Sequence, residues 1–248
     1  MKIRSLFENK KPQLSASVGR VHVIDVLRGV AIILMVGYHL VVDLYTQGVI
    51  PKAALYNPWL DTLQEFIACT FILSSGVSCR FSRNNFRRGL IMLGAAAIVS
   101  LVSYIFSPKL FIVFGVLHFL GVAALLWALI GKVVDKLPDF VVPAVCLPAA
   151  LYTGFFVVNR TFDVRYLWIL GIRHPEFGSA DYFPLMPYFF IYLIGVWAGK
   201  YIAEGRFPQW FYKISCKPFE FMGKHTIWIY LAHQPLCMGI ALLVKALI

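Results

Sequence analysis

Long apolar stretches alternate with short polar breaks along most of the chain. A helix needs about 20 mostly apolar residues to cross the hydrocarbon core of a bilayer. Seven stretches approach this length: 21–46, 60–80, 89–107, 110–131, 139–158, 184–203 and 225–247. The fifth is the weakest, because Pro143 and Pro148 interrupt it. The pattern therefore predicts an all-α, polytopic integral membrane protein with about seven transmembrane helices.

The overall composition supports lipid as the solvent of this chain. Of its 248 residues, 60% are hydrophobic and only 14% are charged, whereas a soluble domain carries about 25% charged residues. The five cysteines are scattered, mostly within apolar stretches, and form no CxxC or Cys/His cluster. They are expected to be small buried hydrophobic residues, and neither a metal site nor a disulfide framework is predicted.

The net charge of +11 is explained by the membrane topology. If residues 1–20 form a basic cytoplasmic segment, and 21–248 a single transmembrane domain, 16 of the 23 Lys and Arg residues fall on the cytoplasmic side. Cytoplasmic loops of membrane proteins carry such an excess. The pattern predicts an N-terminus inside and a C-terminus outside, and it makes nucleic acid an unnecessary partner.

The segment 159–183 is the longest polar stretch, and this topology places it outside. It interleaves charged residues, including Asp181, with aromatic side chains. One interpretation is a solvated cap. The other is a polar lid that contacts an extracytoplasmic substrate.

Ionisable side chains within a transmembrane helix are costly, so each is a candidate functional residue. The first predicted helix carries Asp25 and Arg28 three residues apart and His39 and Asp43 four apart, so each pair shares a helix face. Arg28 and His39 are separated by three turns, or about 16 Å, and project to the same side. A carboxylate that orients the imidazole would leave its second nitrogen as a base. Asp43 could instead be only an interfacial residue.

Further polar residues within the apolar stretches have both a functional and a structural interpretation. They could bind substrate or stabilise an oxyanion, but they could equally form interhelical hydrogen bonds or allow close helix packing. These residues are Ser74 and Ser75 in the second stretch, His118 near the middle of the fourth, and His233 and Gln234 in the seventh.

Several motifs carry a resemblance to a known family. The first stretch contains Arg20-x-x-x-Ile24-Asp25-x-Leu27-Arg28-Gly29-x-Ala31-Ile32-x-x-Met35-Val36-x-Tyr38-His39. In order, the later motifs are Phe71-x-x-x-x-Gly76-x-Ser78, Phe114-Gly115-x-Leu117-His118, Phe177-Gly178-x-x-Asp181-Tyr182-Phe183-Pro184 and Gly223-Lys224-His225-Thr226-x-x-Ile229-Tyr230-Leu231-x-His233-Gln234-Pro235. As a set they resemble the heparan-alpha-glucosaminide N-acetyltransferase catalytic domain and its bacterial relatives. The Arg28-x10-His39 spacing is also similar to that of the acyltransferase-3 membrane enzymes.

The resemblance implies acyl transfer across a membrane, in this case the bacterial cytoplasmic membrane. The donor would be cytoplasmic acyl-CoA, in particular acetyl-CoA, and the acceptor a hydroxyl or amine of an extracytoplasmic sugar. Arg28 would lie on the donor's path, and His39 would be the catalytic base or a transient acyl carrier. Larger family members have ten or more spans, and this chain has room for about seven. The substrate-side domain of the human enzyme has no counterpart in this sequence, so heparan-type acceptors are not carried over.

A different class of function is a transporter or flippase whose intramembrane charges line the path of a small polar or lipid-linked substrate. No inverted repeat, which many transporters show, is visible in the sequence. A haem protein would need histidines at matching depth on facing helices, and the predicted depths of His39, His118 and His233 differ. Movement of an unmodified substrate would identify a transporter, and labelled product an enzyme. The sequence leaves an oligomer open.

Overall fold

The structure, a computed structural model, describes residues 20–106, 108 and 111–248. The predicted basic cytoplasmic segment 1–20 therefore lies outside the described residues except for Arg20. The predicted outer-side Lys109 and the first residue of the predicted fourth span, Leu110, also lie outside them.

The described residues form helices joined by turns and one long loop. In chain order the helices are α1 (His22–Thr46), α2 (Lys52–Leu55), α3 (Pro58–Cys79), α4 (Asn85–Phe106), α5 (Val116–Val134), α6 (Val141–Phe156), α7 (Leu185–Ala203), α8 (Gln209–Lys213), α9 (Lys217–Lys224) and α10 (Thr226–Leu247). Within this described part, β-pairing is limited to two isolated bridges, Phe114–Tyr182 and Thr161–Arg173. The predicted all-α fold class is confirmed.

Six of these helices are long and apolar enough to cross a membrane: α1, α3, α4, α5, α7 and α10. The fifth predicted span corresponds to α6, which has only 16 residues and contains Pro148. A proline lacks the backbone N–H that continues the helical ladder, which agrees with the weakness of this stretch in the sequence. The chain is an integral membrane protein, and its described part contains six long apolar helices and one shorter apolar helix.

The fourth predicted span began too early. Residues 111–115 are not helical, and α5 begins at Val116 after Gly115, whose backbone is extended. Residues 111–115 instead form backbone hydrogen bonds with the end of the long loop 159–183. Ala180 donates its N–H to the carbonyl of Phe111 (3.2 Å), and Phe183 donates to the carbonyl of Phe114 (2.9 Å). An apolar window does not encode such loop pairing.

Large apolar side chains cover much of the outer surface, as lipid contact requires. Helix α4 shows this most clearly, since a row of its apolar residues is half or more exposed. The row consists of Leu90, Ile91, Ile98, Leu101, Val102, Ile105 and Phe106. In water such a surface would be a large unfavourable patch, whereas in a bilayer it meets hydrocarbon.

Within these helices the chain divides into two compact units, and the boundary falls inside α3 after Ser74. The first unit comprises residues 75–206, in which α4 packs on α5 and α6 packs on α7. The second unit combines residues 20–74 with residues 207–248. In it α1 packs against both α9 and α10.

Close backbone contact joins α1 to α9 in the second unit. A methyl group added at Gly29 would collide with the backbone of Phe219, and one added at Gly223 would collide with the backbone of Asp25. The two glycines therefore let the helices approach more closely than any larger residue would. Farther along α1, Ile32 and Met35 form an apolar core with Ile67 of α3.

Candidate functional site

The first polar group of the second unit lies in the first turns of α1. Asp25 is buried, and its Oδ2 accepts a hydrogen bond from Arg20 Nε at 2.8 Å. Its Oδ1 lies 3.5 Å from Arg28 Nη1, across one turn. The predicted Asp25–Arg28 pair is present, and Arg20 is a second cation on the same carboxylate. Two guanidinium groups thus share one buried carboxylate.

A second acidic residue, Glu220 of α9, was not singled out from the sequence. It is buried, accepts a hydrogen bond from the Ser215 hydroxyl (2.6 Å), and lies 2.7 Å from Nδ1 of His22 on α1. Lys224 Nζ lies 3.5 Å away. The hydrogen bonds from Ser215 and His22 lower the pKa of Glu220 to about 2. Its only sequence signal is a carboxylate within an otherwise basic segment.

Two histidine rings meet where α1 and α10 pack together. The ring of His39 lies 4.8 Å from the ring of His233, centroid to centroid, with an interplanar angle of 62°. His39 is partly exposed and His233 is buried. His233 Nδ1 contacts the carbonyl oxygen of Tyr230, one turn earlier on α10. The sequence predicted different depths for these two residues, which is wrong for this pair: α1 and α10 bring their rings into contact.

The carboxylate of Asp43 is held by the residue that follows His233. Gln234 Nε2 donates to both oxygens of Asp43, at 3.1 and 3.2 Å, and Asp43 is only 3% exposed. Among the described residues no hydrogen bond joins Asp43 to His39, so the imidazole–carboxylate pair suggested by their spacing does not form here. Instead, an amide of the neighbouring helix contacts both carboxylate oxygens.

The remaining candidates form local contacts of their own. Ser74, in the second unit, is buried and donates its hydroxyl to the carbonyl of Phe71, 3.0 Å away. Ser75, in the first unit, accepts a hydrogen bond from Arg88 Nη2 at 2.7 Å. A functional role for Arg88 on α4 was not predicted from the sequence, because this residue was treated only as one of the basic residues of a cytoplasmic segment. The hydrogen bond from the Arg88 guanidinium thus fixes the orientation of the Ser75 hydroxyl.

His118 lies in the first turn of α5, not near the middle of a span as the sequence suggested. Its Nδ1 accepts a hydrogen bond from the backbone N–H of Gly115 (3.2 Å), and its Nε2 lies 3.2 Å from the Ser100 hydroxyl on α4. The difference arises because the predicted span began six residues before the helix. The imidazole caps its own helix and links it to α4.

Asp181 closes the long loop onto the same end of α5. Its Oδ2 accepts from the backbone N–H of Val116 at 3.2 Å, while the hydroxyl of Ser179 accepts from the N–H of Val113 at 3.0 Å. Desolvation raises the pKa of Asp181 to about 6, although the hydrogen bond from Val116 acts in the opposite direction. The carboxylate thus satisfies an otherwise open helix N-terminus.

The candidates therefore fall into three groups. Asp25 and Arg28 form one in the second unit, and His39, Asp43, His233 and Gln234 form another there, with Ser74 in a local contact. In the first unit, Ser75, His118 and Asp181 each have partners of their own. The described part of the chain contains no cluster of three or more His, Cys, Asp or Glu side chains that could hold a metal ion.

Comparison with known proteins finds one family. Residues 20–235 match the family described as heparan-alpha-glucosaminide N-acetyltransferase, catalytic. No curated protein and no solved structure shows significant similarity to the chain. The matched range begins at Arg20 and ends just after Gln234, so it includes every candidate residue named above.

Proposed function

This chain belongs to the heparan-alpha-glucosaminide N-acetyltransferase catalytic family, and from that membership we propose that it is a membrane-embedded acyltransferase. It moves an acetyl group from acyl-CoA to a hydroxyl or amine of a glycan or similar acceptor. The observation that carries the proposal is the partly exposed His39 of α1, packed on His233 and beside the Asp43–Gln234 pair within transmembrane helices. Such polar groups are costly in a membrane, and function is the usual reason for them.

The donor site that we propose lies at the start of α1. Arg28 and Arg20 both contact the buried carboxylate of Asp25, and guanidinium groups are well suited to bind the phosphates of acyl-CoA. His39 stands three helical turns farther along the same side of α1, about 16 Å away. The extended arm of acyl-CoA would carry the thioester across that distance while its phosphates stay near Arg28.

In the transfer step, His39 accepts the proton of the attacking hydroxyl or amine. The new bond joins the acyl carbon to the acceptor oxygen or nitrogen, the bond from that carbon to sulfur breaks, and the proton leaves with the CoA thiolate. Acyl transfer through His39 itself reaches the same products in two steps. Gln234 and Ser74, which belong to the same unit as His39, are candidates for stabilising the oxyanion. Ser75, His118 and Asp181 of the first unit are separate candidates for substrate binding.

The two substrates approach from opposite sides in this proposal. The positive-inside pattern supports acyl-CoA on the cytoplasmic side and the acceptor outside. The resemblance to the family's bacterial relatives supports a bacterial cytoplasmic membrane. The long loop 159–183, which that pattern places outside, is then available to contact the acceptor.

The enzymatic activity is tested with membranes that contain the protein and acetyl-CoA labelled in the acetyl group. We expect label on a membrane-associated or added glycan, and its loss in His39→Ala. His225→Ala is the matched control, because His225 is an exposed histidine at the start of α10 and should leave transfer unchanged. Retained transfer in His39→Ala would exclude the base, and transport of an unmodified substrate would replace the enzyme with a transporter.

The donor site is tested by direct binding of acetyl-CoA to the purified protein. Arg28→Ala should weaken binding by about tenfold or more, since a charge-assisted hydrogen bond is worth about 1.5–3 kcal/mol. The fold should persist, because Arg20 still pairs with Asp25. Arg83→Ala, at an exposed position in the turn after α3, is the control. Equal binding by the two variants would remove Arg28 from the donor site.

A further inference from the structure

We propose that His233 is the proton acceptor behind His39: it takes the proton from the second nitrogen of the His39 ring while the first nitrogen reacts. His233 thus acts through His39 as a positioning and proton-accepting residue, and it does not touch the substrate. The inference rests on the proposed function and adds a second imidazole to it.

The contact of His233 with its own helix determines which nitrogen carries a proton. Nδ1 of His233 lies against the carbonyl oxygen of Tyr230. A carbonyl oxygen only accepts hydrogen bonds, so Nδ1 must be the donor and bear the hydrogen. In the neutral ring Nε2 then has a lone pair and no hydrogen. The helix backbone therefore fixes His233 in the tautomer that can accept a proton through Nε2.

The lone pair on Nε2 of His233 accepts no hydrogen bond from the described residues. His233 is 7% exposed, and its Nε2 is buried without a hydrogen-bonding partner among the residues that the structure describes. Burying an unsatisfied polar atom costs about 1–3 kcal/mol, and buried polar groups nearly always have a partner. A histidine retained only for packing would be replaced at lower cost by an apolar residue. The uncompensated nitrogen thus points to a role in chemistry.

His39 is the imidazole that the described structure places against this ring. The centroids are 4.8 Å apart and the planes cross at 62°, and the proposal requires the partly exposed His39 to rotate until one of its nitrogens meets Nε2 of His233. Tyr230 also contacts His233, through its ring and its carbonyl oxygen. The arrangement puts the accessible imidazole toward the substrate and the buried one behind it.

The residue after His233 connects this pair of rings to a buried carboxylate. Gln234 donates its side-chain amide to both oxygens of Asp43, and Asp43 is one turn beyond His39 on α1. The Asp43–Gln234 pair thus joins α10 to α1 next to the two imidazoles.

The proton balance works for direct transfer. The acceptor's proton moves to the first nitrogen of His39 as the acceptor attacks the thioester, and the hydrogen on the second nitrogen moves to Nε2 of His233. When the carbon–sulfur bond breaks, the thiolate takes a proton from His39, and His233 returns its own. The products are the acylated acceptor and CoA thiol, and both rings return to their starting tautomers.

The balance also works if His39 carries the acyl group. Attack by one nitrogen of His39 on the thioester creates a charged acyl-imidazolium, and the proton on the other nitrogen must leave to give the neutral carrier. Nε2 of His233 accepts it and passes it to the CoA thiolate, which leaves as the carbon–sulfur bond breaks. The acceptor then attacks the acyl carbon, the bond from that carbon to the His39 nitrogen breaks, and the acceptor's proton restores the neutral His39 ring. In both routes the buried ring prevents positive charge from accumulating on His39 alone.

Two substitutions separate proton acceptance from simple orientation. Asn in His233→Asn retains an amide N–H near the position of Nδ1–H and can still donate to Tyr230, but it has no base. Gln in His233→Gln places an amide oxygen near Nε2, which accepts a hydrogen bond but not a proton. We expect both to lower the kcat for CoA release by about 100-fold or more, as loss of a proton-transfer partner does, with little change in the KM for acetyl-CoA or for glucosamine as the acceptor probe.

The matched control is His225→Asn. His225 also turns its Nδ1 toward a carbonyl of the preceding turn, that of Phe221 at 2.8 Å, but it is exposed, and its replacement should leave kcat unchanged. Adding His233→Asn to His39→Ala should cause no further loss, because the two rings act as one unit. Full activity in His233→Gln would overturn proton acceptance and leave only an orienting hydrogen bond. An active wild type with an active His233→Asn would overturn the inference while the proposed function stands.

The tautomer gives a readout that does not depend on turnover. Nitrogen NMR of the histidine-labelled protein, with the His233 signals assigned by their loss in His233→Asn, should show a protonated Nδ1 and an unprotonated Nε2. A protonated Nε2 in the resting protein would overturn the inference even if the enzyme is active. If the wild type releases no CoA and labels no acceptor, the proposed function fails and the relay fails with it.

Discussion

Buried carboxylates of the second unit each depend on specific donors. Asp25 has two guanidinium groups, Glu220 has a hydroxyl and an imidazole, and Asp43 has the amide of Gln234. A buried group that loses its partner costs more than the pair contributes when intact. Asp43 has a single such donor residue, so its environment is the most sensitive to one substitution.

Replacing Gln234 should therefore be destabilising. We expect Gln234→Ala to lower the free energy of unfolding by about 1–3 kcal/mol, because Asp43 is left buried without its donor. Gln64→Ala is the matched control: Gln64 accepts a hydrogen bond from Tyr38 at 2.9 Å, but it is exposed, and the change should stay within about 0.5 kcal/mol. Thermal unfolding in detergent measures both. Equal losses would show that the Asp43–Gln234 pair is not a structural requirement.

The sequence predicts contacts of residues that are close along one helix and misses those between distant segments. The Asp25–Arg28 pair follows from a spacing of three residues. The pairing of Asp43 with Gln234 joins residues 191 apart, and no periodicity encodes which helix packs on which. The contact of His39 with His233 and the role of Glu220 were missed for the same reason. The resemblance named several of these residues but not their partners.

Helix packing in the second unit depends on two small residues, and α1 itself offers a comparison. Gly29→Ala should destabilise the protein by about 1–3 kcal/mol, since its methyl group would overlap the backbone of Phe219. Gly37→Ala, two turns later, meets nothing within contact distance and should be neutral or stabilising by up to about 1 kcal/mol through helix propensity. Unfolding temperatures in detergent distinguish them. Equal effects would contradict close packing of α9 on α1.

The attachment of α9 to α1 should also depend on pH. Hydrogen bonds lower the pKa of Glu220 to about 2 in the folded protein from 4.5. The ionised carboxylate is thus favoured by folding, and its stabilisation is complete above pH 4.5 and disappears as the pH falls toward 2. We expect Glu220→Gln to unfold at a lower temperature at pH 7 and to lose less stability than wild type between pH 4.5 and 2. Parallel curves for the two proteins would rule this out.

At the level of elements, hydropathy identified every long helix. The errors concern where a helix begins and the short helices, because hydrogen bonds to loops and packing between helices determine these. The apolar run from 110 continued through residues whose backbones bond to the loop, so α5 began later than predicted. The short α9 was missed because its sequence is basic and contains Pro218 and Gly223. It is a helix because one side of it, with Glu220 and Gly223, is buried against α1.

For the whole molecule, the distribution of charge makes a prediction about orientation. Reporter fusions should place residue 85 in the cytoplasm and residue 170 outside, because the positive charges favour retention on the inner side. A reporter that is active only when cytoplasmic and one that is active only outside should give opposite signals at the two sites. If residue 85 is found outside and residue 170 in the cytoplasm, the predicted topology is wrong, and acyl-CoA and the acceptor would bind on the opposite sides from those proposed.

The second unit is assembled from the two ends of the matched region, which has a consequence for biosynthesis. α1 leaves the ribosome about 190 residues before α10, and all helices of the first unit are translated in between. At about 5–20 residues per second, Asp43 is in the membrane for about 10–40 s before Gln234 exists. During that interval the nascent chain carries an uncompensated carboxylate and two histidines that cannot yet meet. Under the proposed function, the site is therefore complete only after α10 has been made, and a chain that ends before α10 would lack His233 and Gln234.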